Sequence, residues 1–212
     1  MNNPAHPATD RPRRLDARRN HDQILVIANE AIEQFGAEAS LRDIARKAGI
    51  GLGTLYRHFP SREALIEALM RERLDTFSKR VRAARSLADP GAALEACILE
   101  YLAGVMVYKG IACSFMGAFQ DPTSALHAAC AAAQEELDAL LRMAQAAGQV
   151  RPDVSVKDLF ALVNGLAWVF DQGTHAPEQR TILVQVVIAG LRIQRSPSPP
   201  APDRLPGSSH AT

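Results

Sequence analysis

Apolar positions recur at three- and four-residue steps along most of the chain, and no stretch sustains a period of two. Ile24, Leu25, Ala28, Ala31, Ile32 and Phe35 form one stripe, which predicts a first helix over about 18–35, ended by Gly36. Ser40 is placed to cap a short second helix, with Asp43 three residues on as an abbreviated capping box. Leu41, Ile44, Ala45 and Ala48 are its inner face, and Gly49 stops it. A third short helix is expected from about residue 52 to Phe59-Pro60, and a fourth, capped by Ser61, to about residue 85. Five more follow at about 91–107, 111–119, 123–147, 155–172 and 177–193, punctuated by Gly148, Pro152, Gly173 and Pro177. The pattern predicts an all-α fold of about nine helices, with a three-helix head and a helical body joined through the fourth helix. Residues 1–17 are expected to be a disordered basic arm, and the Pro/Ser-rich residues 196–212 a disordered tail.

One segment breaks the monotony. Residues 49–59, GIGLGTLYRHF, hold three glycines and then a dense run of polar side chains. A phosphate-binding loop does not fit: no strand precedes the glycines, there is no Gly-Lys-Ser/Thr, and no acidic residue stands where a ribose partner belongs. A helix-turn-helix fits better. It needs a small residue where two helices cross, and Ala45 supplies it. It needs a turn residue tolerant of positive φ four positions on, and Gly49 supplies that. With Ile44, Ala48, Ile50, Leu55 and Phe59 turned inward, Thr54, Tyr56, Arg57 and His58 must face elsewhere. A short helix with a free polar face suits the major groove.

Charge supports that reading. Residues 1–85 carry 16 Lys+Arg against 11 Asp+Glu, whereas residues 86–212 carry 8 against 12, within a chain of net charge +1. A basic front and an acidic back point to a polyanion-binding head on a body with another task.

Residues 40–69, SLRDIARKAGIGLGTLYRHFPSREALIEAL, resemble the helix-turn-helix signature of the tetracycline-repressor (TetR) family, with Thr54, Leu55, Tyr56, His58 and Phe59 as its core. The resemblance is specific over about residues 18–80, the expected DNA-binding domain, and only architectural over the ligand-binding and dimerisation domain expected at 81–195. It implies a homodimer that binds a palindromic operator on double-stranded DNA, represses, and lets go when a small molecule enters the body. It also implies DNA contacts at Ser40, Arg42, Thr54, Tyr56, His58 and Arg62, and base readout is expected to rest on Arg42, Thr54 and Arg57. Leu52 and Gly53 stand where the family faces base edges, and here the chain departs from a strong hydrogen-bonding reader. Thymine methyl contact and close backbone approach remain open to them. His58 has no second ligand at metal spacing, so its part is hydrogen bonding and packing. Tyr56 can pack its ring and offer its hydroxyl at once.

In the body, residues 159–170 are apolar nearly all round, and residues 181–191 repeat the pattern with Ala189 and Gly190 among them. Two such helices and their symmetry copies would make a four-helix bundle, with Phe160, Val163, Leu166, Leu183, Val187 and Gly190 at the dimer interface. Met106, Cys113, Phe115, Met116, Phe119, His127, Trp168 and Asp171 are the expected walls of a pocket for a small apolar or aromatic ligand. His127 and Cys130 sit near Glu135, Glu136 and Asp138, but no complete catalytic or metal-binding constellation follows from them. No catalytic residue, metal or cofactor is assigned. The three cysteines make no disulfide framework. The N-terminus lacks an apolar signal core, and residues 159–170 and 182–191 are too short and interrupted to span a bilayer. A cytoplasmic regulator is the expectation. Its alternatives are an activator or non-inducible regulator of the same fold, and a helical ligand-binding or enzyme module.

Overall fold

The computed structural model describes residues 10–108, 116–173 and 176–193, with side chains from residue 19 onward except at Ala37 and Met116. Among the described residues the chain forms nine α-helices: α1 (Asp10–Phe35), α2 (Leu41–Lys47), α3 (Leu52–His58), α4 (Arg62–Ala84), α5 (Pro90–Val107), α6 (Met116–Gln120), α7 (Ala125–Ala146), α8 (Val156–Asp171) and α9 (Pro177–Leu191). A single 3-10 turn, Gly36–Glu38, follows α1.

The caps follow the chemistry of the chain. Ser40, Ser61, Asp89, Ser124 and Ser155 each accept a hydrogen bond from a backbone N–H in the first turn of the helix they precede. Asp89-Pro90 starts α5: Asp89 caps it, and Pro90 sits where no helical N–H partner is needed. The N-terminus is the main departure. α1 begins at Asp10, so residues 10–17 are helical and not a disordered arm. Pro12 lies in the first turn, where its missing N–H costs nothing, and Arg, Leu and Ala favour helix beyond it. Residues 1–9, the 196–212 tail and most of the helix expected at 111–119 lie outside the described residues.

Two apolar clusters hold the molecule. The first gathers Ile24, Ala28, Ile32, Ile44, Leu55, Phe59, Leu65 and Leu69 from α1 to α4. The second gathers Phe77, Val81, Leu94, Ile98, Leu137, Leu140, Leu159 and Phe160 from α4, α5, α7 and α8. α4 runs through both, and Leu74 touches each. The head is not closed by its own helices, because Tyr108 after α5 and Leu126 at the start of α7 are buried in its cluster, with Phe119 packed against it. Burial pushes the Tyr108 hydroxyl up to about 12, against the opposing influence of nearby Arg73.

Ion pairs fasten α4 at its middle and around its C-terminal end. Arg73 meets Glu33 of α1 at 3.4 Å, and Arg82 and Arg85 both hold Glu136 of α7. α5 is long and apolar enough by length and composition to cross a membrane, which sequence reading overlooked. Ala93, Leu94, Cys97, Ile98 and Leu102 explain its apolar content, since they are buried in the body cluster.

Candidate nucleic-acid interface

The turn between α2 and α3 is set by Gly49, whose φ of +69° places it in the left-handed region that a side chain disfavours. The Ile50 N–H donates to the Ala45 carbonyl at 3.0 Å and the Gly49 N–H to that of Arg46 at 3.1 Å, which closes the end of α2. Ile44, Ala45 and Ala48 on one side, and Leu55 and Phe59 on the other, are all buried. The two short helices are thus locked by their apolar faces, and what remains outward is polar.

That outward face comprises Ser40, Arg42, Gly53, Tyr56 and Arg57, all exposed, with Thr54 half-buried beside them. Tyr56 keeps 44% of its surface in solvent. Arg57 donates to the Thr54 hydroxyl at 2.9 Å, which steadies its guanidinium along the helix. A Cβ built at Gly53 would meet nothing within 4 Å, so the fold itself does not require glycine there. The exposed groups are hydroxyl, phenol and guanidinium donors on a convex ridge, the complement of phosphate oxygens and base edges.

Three predicted contact residues are placed differently. Arg62 turns inward and donates to the Ala39 carbonyl at 2.6 Å, so it ties the start of α4 to the segment before α2. Leu52 is partly buried against the head cluster, because a leucine one turn before Leu55 and two before Phe59 gains more from the core than from water. His58 is half-buried, its ring 6.1 Å from that of His21 on α1. His21 in turn stacks on Phe59 at 4.8 Å, a pairing across 38 positions that no local pattern announces. Arg46 and Lys47, exposed in the last turn of α2, escape the sequence reading. Their place on the polar side of the α2 stripe is the signal that could have found them, although Arg46 is already paired with Asp43 at 2.8 Å.

The residues expected to wall a ligand pocket do not converge. His127 and Phe119 do meet: His127 donates from Nδ1 to the Phe119 carbonyl at 2.7 Å. Met106, however, packs against the body cluster and Phe119 against the head cluster. Trp168 is 58% exposed on the outer side of α8 and cannot line an interior pocket. Asp171 is half-buried at the end of that helix. Cys113 and Phe115 lie outside the described residues, as does the Met116 side chain. Sequence reading missed a group of mixed polarity at the edge of the body cluster, in which Tyr101 packs against Phe77 at 5.5 Å and Phe160 at 4.6 Å and reaches the exposed Asn164 at 3.4 Å. Burial raises the Tyr101 hydroxyl pKa above its ordinary value, and Cys130 lies close enough to be felt.

Several residues of the expected dimer face serve the protomer itself. Phe160 and Val163 are buried in the protomer's own core, where Leu166 and Leu183 also pack. The apolar residues left to solvent are Leu162, Trp168, Ile182 and Val186, at 48%, 58%, 57% and 63% exposure. Gly190 is exposed and Val187 half-buried. A helix apolar on all sides gives no clue as to which side the protomer claims for itself.

Comparison with known proteins completes the picture. Residues 24–69 match the family described as bacterial regulatory proteins, tetR family, and residues 89–193 match the C-terminal domain described as transcriptional regulator SbtR-like. A TetR transcriptional regulator from Streptomyces coelicolor is 32% identical, with a TM-score of 0.63, over 81% of this chain and 98% of that one. A TetR transcription regulatory protein from Mycobacterium vanbaalenii is 31% identical, with a TM-score of 0.62, over 85% of this chain and 99% of that one. An HTH-type transcriptional regulator of Staphylococcus aureus is 41% identical over 68 residues, so the chain spans 35% of that curated relative's length and uses 31% of its own.

Proposed function

The chain belongs to the TetR family of bacterial regulatory proteins, and from that premise we propose that it is a sequence-specific DNA-binding transcriptional repressor, acting in the cytoplasm as a homodimer and released from its operator by a small molecule. The observation that carries the reading is the α2–α3 ridge. Its apolar faces are locked inward around Gly49, and Arg42, Gly53, Thr54, Tyr56 and Arg57 are left outward on a rigid base. No catalytic step is assigned to it.

A homodimer supplies two such ridges for a two-fold symmetric site, about one helical turn of DNA or a multiple apart. The exposed apolar residues of α8 and α9, Leu162, Trp168, Ile182 and Val186, are the surface proposed to pair with its symmetry copy. The ligand is proposed to be mostly apolar or aromatic and to enter beside Tyr101, Phe160 and Asn164, where a phenol and an amide lie among aromatic rings. α4 supports the coupling. It contributes to both apolar clusters, with Arg73 at its middle meeting α1 and Arg82 and Arg85 at its C-terminal end holding α7. A displacement of the body helices is thereby passed to the ridge, and a tenfold loss of DNA affinity needs only about 1.4 kcal/mol of coupling.

The test is selection of duplexes from a randomised pool by the full chain, followed by transcription from a promoter carrying the recovered site. Recovery of a two-fold symmetric sequence whose occupancy lowers transcription supports the reading. Equal affinity for every duplex sinks it. A panel of apolar and aromatic compounds is then screened for release.

A further inference from the structure

Resting on the reading of α2–α3 as the DNA-contacting unit, we propose that Tyr108 is a positioning residue for that unit: its phenol competes with Arg73 for the Glu33 carboxylate at the joint between body and head, and the outcome sets how α1 holds the ridge. Three helices meet at this joint. Arg73 leaves α4, crosses α5 at Gly104 and reaches Glu33 on α1 at 3.4 Å. The crossing is tight. A Cβ at Gly104 would stand 3.0 Å from the Arg73 Nε, so α5 admits that guanidinium because residue 104 is glycine. Tyr108 follows one turn later on the same side of α5, and its ring is buried in the head cluster.

The Tyr108 hydroxyl has no local explanation. It is buried without a hydrogen-bond partner, alone in this among the side-chain polar atoms of the described residues. A buried hydroxyl is ordinarily bonded, because losing water without replacement is costly. Partners are close by, since the charges of Arg73, Glu33 and Glu72 are all felt at the phenol. Glu33, however, is already engaged by Arg73 and by Asn29 of its own helix at 3.0 Å. The Arg73 contact, at 3.4 Å, is longer than the 2.7–2.9 Å or so to which a charge-assisted bond ordinarily closes. A loosely held carboxylate beside an unbonded donor gives the joint two arrangements. In the one seen here, Glu33 pairs with Arg73. In the other, a small shift at the end of α5 lets Tyr108 donate to Glu33 and releases Arg73. α1 carries Glu33 near one end and, twelve positions earlier, His21, which stacks on Phe59 just after α3 at 4.8 Å. The exchange therefore turns the helix against which the ridge is braced.

The experiment uses the full-length protein as wild type, Tyr108→Phe, Gly104→Ala, Glu33→Ala and the double variant Tyr108→Phe with Glu33→Ala. Each is melted, and each is titrated against a duplex that the wild type recovers from a randomised pool. Tyr108→Phe removes the hydroxyl alone. It loses no bond in the arrangement seen here and one bond in the alternative, so it favours the former. Gly104→Ala sets a methyl against the Arg73 Nε and favours the latter. The two variants are expected to shift DNA affinity in opposite directions, each by about threefold or more. Tyr108→Phe should melt no lower than wild type, and its effect on affinity should vanish in the Glu33→Ala background. A merely structural tyrosine would instead lower the melting temperature and leave affinity for the duplex unchanged. Shifts of the same sign, unchanged affinity in Tyr108→Phe, or a Tyr108→Phe effect that survives Glu33→Ala each overturn the proposal, while selective binding by the wild type keeps the α2–α3 reading intact. Should Gly104→Ala fail to fold, the Tyr108 and Glu33 cycle decides by itself. Equal wild-type affinity for every duplex sinks both.

Discussion

Two exposed surfaces of this molecule differ in what they leave to solvent. On α3, the residues turned away from the core are Gly53, Tyr56 and Arg57, with the Thr54 hydroxyl beside them. On α8 and α9 they include the large apolar side chains of Leu162, Trp168, Ile182 and Val186. Both helix sets bury one apolar stripe in their own cluster, so both obey the same folding rule. The outward residues are what separate them: a polar ridge can stay wet until a polyanion arrives, whereas four large apolar side chains on adjoining helices want a partner of their own kind. Binding specificity in this chain is therefore a property of the second face of each helix, the one folding does not use.

The contrast predicts that the same substitution has opposite consequences on the two faces of α8 and α9. Val186→Glu should leave the protomer folded and disrupt self-association by several kcal/mol, because a lone carboxylate would be buried at the paired surface. Light scattering should then report a monomer with a melting transition close to wild type. Phe160→Glu should instead unfold the body. A wild-type protein that is monomeric at micromolar concentration would remove the basis for the first. Trp168 is the only tryptophan, so its emission should shift to the red when Val186→Glu separates the copies. Emission that ignores dissociation would place Trp168 outside the paired surface.

On the ridge, Arg57→Ala and Tyr56→Ala should each weaken operator binding by about 1–3 kcal/mol. Both are exposed, so unfolding free energy should stay within about 0.5 kcal/mol of wild type. A matching loss of stability would reassign them to structure. Gly53→Ala sharpens the point. Nothing crowds a Cβ at that position, so the substitution should stabilise the head by about 0.5–1 kcal/mol while altering DNA affinity through the added methyl.

The smallest effect concerns the joint between the regions. Hydrogen bonds from Arg82, and then from Arg85, hold the Glu136 carboxyl below its ordinary value of 4.5. A carboxylate lowered in the folded state contributes its full stabilisation above that ordinary value and loses it as pH falls through the lowered one. Because Arg82 stays largely exposed, the contribution is about 0.5–1 kcal/mol. Denaturant midpoints of wild type and Glu136→Gln should thus differ at pH 7 and converge in acid. A difference that persists there would assign the effect to packing.

Local chemistry determined much of this protein. The helix count, the serine caps at Ser40 and Ser61, and the Gly49 turn depend on residues within a few positions of one another, which is why they are legible in the sequence. So is the outward set Arg42, Thr54, Tyr56 and Arg57, because the inward stripe of Leu55 and Phe59 leaves only one other face. Tertiary structure alone decided the rest. Arg62 found the Ala39 carbonyl 23 positions away, and His21 found Phe59. Tyr108 and Leu126 crossed from the body into the head's core, over the division at residue 80 that the family resemblance implies. Phe160 and Val163 went inward while Trp168 went out, because α8 carries apolar residues on every side and only its neighbours, α5 and α7, select which stripe is buried. Periodicity establishes that a helix has an apolar face, but where several faces are apolar the choice belongs to the packing partners, which sequence spacing does not encode.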